Sequence, residues 1–83
     1  MVYWQKFDPQ EFEFEFDEQE LAAHQISIDE ALEVIWNGFD VRRNKRYHRS
    51  YQTVGQTDGG RTLKLIVNEK RQNLIRVITG WDV

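Results

Sequence analysis

The sequence predicts an α+β domain, with two helices packed on one face of an antiparallel sheet in the order β-α-α-β-β-β. Three observations predict it. Residues 11–16 alternate strictly between glutamate and phenylalanine, two helix-capping signatures follow, and apolar residues recur at every second position from Asp40 onward. Eighty-three residues without cysteine are expected to form a single domain, 1–83, whose first ten residues are an irregular segment around Pro9.

The first half of the chain predicts one strand and two helices. The alternating run places three phenylalanines on one face and three glutamates on the other, which is typical of the solvated side of an edge strand. Asp17 with Glu20 predicts the start of a short helix, at about residues 18–24. Ser27 with Glu30 is a capping box that predicts a second helix, and Gly38 is predicted to end it.

The second half predicts two hairpins. A two-residue turn at Asp58-Gly59 pairs Val54 with Leu63 and Tyr51 with Ile66. A three-residue loop at 70–72 sets Leu65 opposite Val77 and Val67 opposite Ile75. The face toward the helices is then aliphatic: Val54, Leu63, Leu65, Val67, Ile75 and Val77.

The opposite face of that predicted sheet carries cations and phenols with no acid among them. Its predicted members are Tyr47, Arg49, Tyr51, Thr53, Thr62, Lys64, Ile66, Arg76 and Ile78. A bulge in the first strand of the hairpin is the alternative, because it shifts the strand by one residue. In that case His48 joins this face and Arg49 leaves it.

Charge is divided unequally along the chain. Residues 1–33 carry ten acids against one base, a net −9, and residues 34–83 carry ten bases against four acids, a net +6. Residues 41–51 hold five of the eleven Lys and Arg, no acid, two tyrosines and a histidine. Cations mixed with aromatic rings are typical of RNA-binding surfaces, although charges of both signs also simply keep small domains soluble. The RNA-binding candidates are Arg42, Arg43, Lys45, Arg46, Tyr47 and Arg61.

Composition excludes several classes of site. The absence of cysteine removes thiol nucleophiles and thiolate metal ligands, and two separated histidines do not form a metal cluster. No glycine-rich phosphate loop is present, and no apolar run is long enough to span a membrane. We therefore expect a cytoplasmic protein without a metal or cofactor.

The order of several short motifs resembles the BrnT toxins, which belong to the RelE-like ribonucleases of bacterial toxin–antitoxin pairs. The matching segments cover about residues 12–79: Phe14-Glu-Phe-Asp-Glu18, Ile26-Ser-Ile-Asp-Glu-Ala31, Val54-Gly55, Gly60-Arg-Thr-Leu63 and Ile75-Arg-Val-Ile78. Ala23-His24-Gln25 departs from the usual Lys-His-Gly of that family. Thr79-Gly80-Trp81 stands where the family continues through Ser-Ala-Arg into a basic helix.

The resemblance implies a metal-independent endoribonuclease that cleaves free or ribosome-bound RNA and is neutralised by an antitoxin protein. Such cleavage needs a base, an acid and cations around the phosphate. The candidate catalytic residues are Arg49, Lys64 and Arg76 as cations, Tyr51 as the acid, and His48 as base or acid if the strand is shifted. The alternatives are an RNA- or ribosome-binding module without catalysis and a protein-interaction domain.

Overall fold

A computed structural model of the protein describes residues 4–43 and 50–83. Two 3-10 turns, Trp4–Lys6 and Pro9–Glu11, precede seven elements. These are β1 (Glu13–Phe16), α1 (Glu18–Ala23), α2 (Ile28–Asn37), β2 (Phe39–Arg43), β3 (Ser50–Gln56), β4 (Thr62–Arg71) and β5 (Leu74–Asp82). The predicted α+β class is confirmed, but the predicted order lacks β2.

The five strands form one mixed sheet in the order β1-β5-β4-β3-β2. Strand β1 runs parallel to β5, and the other neighbours are antiparallel. The prediction of a purely antiparallel sheet is therefore wrong for β1. The two helices connect β1 to β2, and β1 and β2 form the opposite edges of the sheet.

Both predicted helix starts are confirmed. The Asp17 side chain accepts a hydrogen bond from the backbone N–H of Glu20 at 3.1 Å. In α2 the capping box is reciprocal: the N–H of Glu30 donates to Oγ of Ser27, and the N–H of Ser27 donates to Oε1 of Glu30. Gly38 follows α2 at φ 92°, a left-handed value that glycine adopts without a steric penalty.

The core lies between the helices and one face of the sheet. Its helical side consists of Leu21, Ile26, Ala31, Val34 and Ile35, and its sheet side of Leu63, Leu65, Val67, Ile75 and Val77. Each large aliphatic side chain buried there contributes about 1.5–3 kcal/mol. Five of the six predicted core residues of the sheet are therefore confirmed. Val54 is only half-buried and lies outside this cluster.

The first segment of the chain adds an aromatic cluster to the core. Ring centroids of Trp4 lie 5.1 Å from Phe7, 5.8 Å from Phe39 and 5.0 Å from Tyr51, and Phe7 lies 5.0 Å from Phe12. Aromatic pairs at these separations gain a favourable ring–ring interaction in addition to the free energy of burying their apolar area. The segment predicted to be irregular thus covers part of the sheet beside the short helices.

Strand β3 is shifted by one residue from the predicted register. Thr53 lies opposite Leu65 and Gly55 opposite Leu63, because residues 57–61 form the connection instead of a two-residue turn. The N–H of Thr57 donates to the carbonyl of Arg61 across this wider loop. A shift of one residue reverses the faces of a strand, so Tyr51 and Thr53 lie on the helix side, contrary to the prediction.

Strand β5 is shifted from the predicted register by two residues at Val67 and by three at Leu65. Val67 lies opposite Val77 and Leu65 opposite Gly80, with register irregularities between Ile66 and Val67 and between residues 69 and 71. Asn73, at φ 63°, occupies a left-handed conformation in a turn shorter than the predicted loop. A shift of two preserves the faces of Ile75 and Val77, and the irregularity beside Val67 accommodates the third residue of the shift. The predicted core residues of β4 and β5 are therefore still buried.

Candidate nucleic-acid interface

The sheet face directed away from α1 and α2, here called the outer face, is arranged in rows across the strands. One row runs from β5 to β2 through Trp81, Lys64, Val54 and Asp40. The next runs through Thr79, Ile66, Gln52 and Arg42. Residues directly opposite each other on neighbouring strands share a face, so these rows bring Lys64, Trp81 and Arg42 to one surface.

On the β1 side of the outer face, each cation has an acidic partner. Nη1 of Arg76 lies 2.9 Å from Oε1 of Glu15, and Nη2 of Arg76 lies 3.7 Å from Asp17. Nζ of Lys70 also lies 3.1 Å from Glu15. Hydrogen bonds from Lys70 and then Arg76 lower the pKa of the Glu15 carboxyl, so it stays ionised and compensates their charges.

This pairing corrects the prediction that the face has no acids. Parallel pairing of β1 places Glu15 opposite Arg76 and Glu13 opposite Leu74. Glu13 also lies 3.8 Å from Arg71, although both of these side chains are mostly exposed. The predicted phosphate ligand Arg76 is therefore engaged by two carboxylates.

On the β2 side the cations lack such partners. Arg42 lies on the outer face, opposite Gln52, whereas Arg43, the last residue of β2, lies opposite Tyr51 and so on the other face. Both are exposed, and no acid among residues 4–43 and 50–83 makes an ion pair with either. Asp40 is the acid of the neighbouring row. The remaining candidates of the basic stretch, Lys45, Arg46, Tyr47, His48 and Arg49, lie outside the described residues.

Lys64 lies over an aromatic ring instead of beside a carboxylate. Its Nζ atom is 6.0 Å from the ring centroid of Trp81 on the neighbouring strand. The Trp81 ring also lies 6.2 Å from the ring of His24, at the end of α1. Trp81 is 37% exposed, so the indole remains accessible beside the ammonium group.

Arg61 joins three segments of the fold. Its guanidinium lies 3.0 Å from Glu30 at the start of α2 and 2.7 Å from Asp82 at the end of β5. It also donates to the backbone carbonyls of His24 and Gln25 between the helices. Hydrogen bonding to Glu30, and then to Asp82, raises the pKa of Arg61. These contacts favour a structural role over the predicted RNA contact.

The described catalytic candidates are not brought together. Arg76 lies opposite Asn68, which is four positions along β4 from Lys64. The cross-strand rows that contain Lys64 and Arg76 are therefore about 13 Å apart. Tyr51 lies on the other face, with its ring 5.0 Å from Trp4. Lys64, Arg76 and Tyr51 therefore do not form one cluster.

Among residues 4–43 and 50–83, no three His, Asp or Glu side chains are grouped as metal ligands are. Within the same part of the chain, no helix is long and apolar enough to cross a membrane.

Comparisons with protein-family models, curated proteins and solved structures find no match. Function is therefore inferred from the chemistry of the outer face.

Proposed function

We propose that the protein binds single-stranded RNA through the β2 side of its outer face, the exposed end of β2 at Arg43 and the basic stretch that follows β2. The observation that carries this proposal is the contrast between the two sides of the sheet. Arg76, Lys70 and Arg71 have carboxylate partners. Arg42 on the outer face and Arg43 at the end of the edge strand β2 are exposed without an acidic partner among the described residues. Uncompensated cations are available to phosphate groups.

The chemistry of these side chains suits a nucleic-acid backbone. A guanidinium presents a planar fork of N–H donors that matches two phosphate oxygens. The sequence directly after Arg43 adds Lys45, Arg46 and Arg49, interleaved with Tyr47 and His48, whose aromatic rings are suited to stacking on unpaired bases. One strand of the sheet and this stretch would thus supply phosphate contacts and stacking together.

The test is a salt titration of binding to a short, fluorescently labelled single-stranded RNA. Each phosphate contact contributes about −0.7 to the slope of log affinity against log salt. We expect the double variant Arg42→Gln/Arg43→Gln to bind more weakly and to have a shallower slope. The matched control is Lys70→Gln/Arg71→Gln, which removes two charges that already have acidic partners.

Two results count against the proposal. The first is an intact wild-type protein that shows no salt-dependent affinity for RNA; a protein-interaction domain then becomes the better explanation. The second is equal weakening by the two double variants, because net charge rather than the β2 side would then determine affinity.

A toxin-type endoribonuclease is the second candidate, and the position of β3 favours it. The strand is shifted by one residue from the predicted register. For a strand shifted in this way, the sequence predicts His48 on the outer face in place of Arg49. Histidine is suited to general acid–base catalysis because its ordinary pKa lies near neutrality. The placement of His48 remains a prediction, and so does a neutralising antitoxin partner.

Inducible expression in a bacterial host tests this second candidate. A toxin-type ribonuclease predicts growth arrest with new RNA ends, and relief of both by His48→Ala at an equal level of folded protein. Normal growth with intact RNA from abundant, folded wild-type protein would leave RNA binding without cleavage. Arrest by His48→Ala as strong as by wild type would exclude His48 as the catalyst.

A further inference from the structure

Trp81 occupies a position where a large apolar ring is partly exposed. Strand β1 pairs with β5 only from Leu74 to Val77, so no strand of the described part of the chain lies beside the later part of β5 on that side. Trp81 lies in this unpaired part and is 37% exposed. Its backbone is paired with Lys64 on the other side, which holds the ring at a defined place on the sheet.

The surroundings of the ring combine a cation with a second aromatic group. Nζ of Lys64 lies 6.0 Å from the Trp81 centroid, a distance at which a cation is attracted to the ring. The His24 ring lies 6.2 Å away at an angle of 50°. The indole at this edge of β5 therefore has an ammonium group and an imidazole as neighbours, and the carboxylate of Glu20 lies 3.8 Å from Nε2 of that imidazole.

We propose that Trp81 is a stacking platform for one unpaired base of the RNA, and that Lys64 binds the phosphate next to that base. This inference rests on the proposed function and adds a base site to its phosphate contacts. Every base has a π-face, so an indole accepts any of them, and the site is expected to tolerate different sequences. Lys64 is attracted both to the ring and to phosphate, so it stays at the site when RNA is absent.

The distance to the β2 side is compatible with one RNA strand. Lys64 and Arg42 share the outer face, separated by two strand spacings and two residues along the strand, or about 12 Å. A short single strand that stacks one base on Trp81 can therefore extend its backbone across β4 and β3 toward Arg42. Gln52 and Val54 of β3 lie between these points.

Trp36 provides a contrast within the same chain. It is more exposed than Trp81, at 54%, but it lies on α2, in the helical layer. Among the described residues it has no aromatic or cation partner. Exposure of an indole alone therefore does not distinguish the two; the neighbouring ammonium and imidazole groups do.

The experiment measures binding of a labelled single-stranded RNA to wild type, Trp81→Ala, Trp81→Phe and the control Trp36→Ala. Loss of one base–aromatic stack is expected to lower affinity about 5- to 150-fold in Trp81→Ala. Trp81→Phe is expected to retain most of the affinity, and Trp36→Ala all of it. An RNA of equal length with abasic sugars is expected to bind wild type and Trp81→Ala alike.

The outcomes separate this inference from the proposed function. If Arg42→Gln/Arg43→Gln weakens binding but Trp81→Ala does not, RNA binding stands and the stacking site is overturned. If wild type does not bind RNA, the proposed function itself fails. If Trp81→Ala does not fold, as judged by circular dichroism, Trp81→Leu is compared with Trp81→Phe: tighter binding by the phenylalanine variant supports stacking, and equal binding overturns it.

Discussion

The guanidinium of Arg76 and the carboxylate of Glu15 lie 2.9 Å apart on neighbouring parallel strands. This pair divides the outer face into two electrostatically different sides. Near β1, strand glutamates compensate the cations, and near β2 the exposed Arg42 has no such partner among the described residues. The sequence predicts a sheet face that is basic throughout, whereas in the structure only its β2 side carries uncompensated positive charge.

The first prediction compares two arginines that differ in this respect. We expect Arg76→Gln to leave RNA affinity nearly unchanged, because Glu15 and Asp17 already compensate its charge. Arg42→Gln removes one positive charge as well, but we expect it to weaken binding and to reduce the salt slope by about 0.7. Anisotropy titrations of both variants against one RNA make the comparison. Equal weakening would show that RNA also contacts the β1 side.

The second prediction concerns stability at acid pH. The N–H of Ser27, and then Arg61, lower the pKa of Glu30 below its ordinary value of 4.5. Since the folded-state pKa is the lower one, the stabilisation is complete above the unfolded pKa and is lost as pH falls through the folded pKa. We expect Glu30→Gln to lower Tm at neutral pH and to reduce the loss of Tm below pH 4.5.

Glu18→Gln is the control for that pH series, because Glu18 also lies in the first turn of a helix but, unlike the half-buried Glu30, is exposed. Its Tm is expected to follow that of wild type across the whole pH range. A Glu30→Gln variant with the same acid dependence as wild type would mean that the contacts of Glu30 with Arg61 and Ser27 do not contribute to acid sensitivity.

The third prediction concerns close packing behind the proposed stacking site. A Cβ atom on Gly80 would lie 2.6 Å from Cδ2 of Leu65 and 2.7 Å from the carbonyl oxygen of Lys64. We expect Gly80→Ala to destabilise the protein by about 1–3 kcal/mol through overpacking. For a domain of this size, each kcal/mol corresponds to a decrease in Tm of about 4–8 °C.

Gly59→Ala is the matched substitution for the thermal melts. The nearest atom to a Cβ at Gly59 is Oγ1 of Thr57 at 3.9 Å, which is ordinary contact. Its Tm should lie close to that of wild type. If Gly80→Ala melts at the same temperature, then β4 and β5 separate easily, and the position of Trp81 is less defined than the inference requires.

Local signals in the sequence predicted local structure correctly. The Asp17 cap and the capping box of Ser27 and Glu30 depend on residues three positions apart, and both helices begin where these residues predict. The aliphatic face of β4 and β5 was also predictable, because alternation within each strand determines it and the register shift of two at Val67 leaves that alternation unchanged. For β3 the sequence favoured the register of a two-residue turn and gave the one-residue shift only as an alternative. The observed register depends on the hydrogen bonds of the loop at 57–61, which the alternation of the strands does not reveal.

Contacts distant in the sequence explain most of what was missed at the candidate site. Glu15 and Arg76 are 61 residues apart, and nothing near either residue predicts that β1 pairs with β5. Arg61 and Glu30 are 31 residues apart, so the structural role of Arg61 was equally hidden. The accessibility of Trp81 depends on where β1 ends relative to β5. The alternation of apolar and polar residues does not predict that position.

The most direct test of RNA binding at the β2 side is a nuclear magnetic resonance titration of the isotopically labelled protein with single-stranded RNA. We expect shifts at the amides of Arg42, Gln52 and Lys64 and at the indole N–H of Trp81. The indole of Trp36 should not shift. Changes confined to α1 and α2, or to the β1 side, would contradict the account, as would a folded protein whose spectrum does not change.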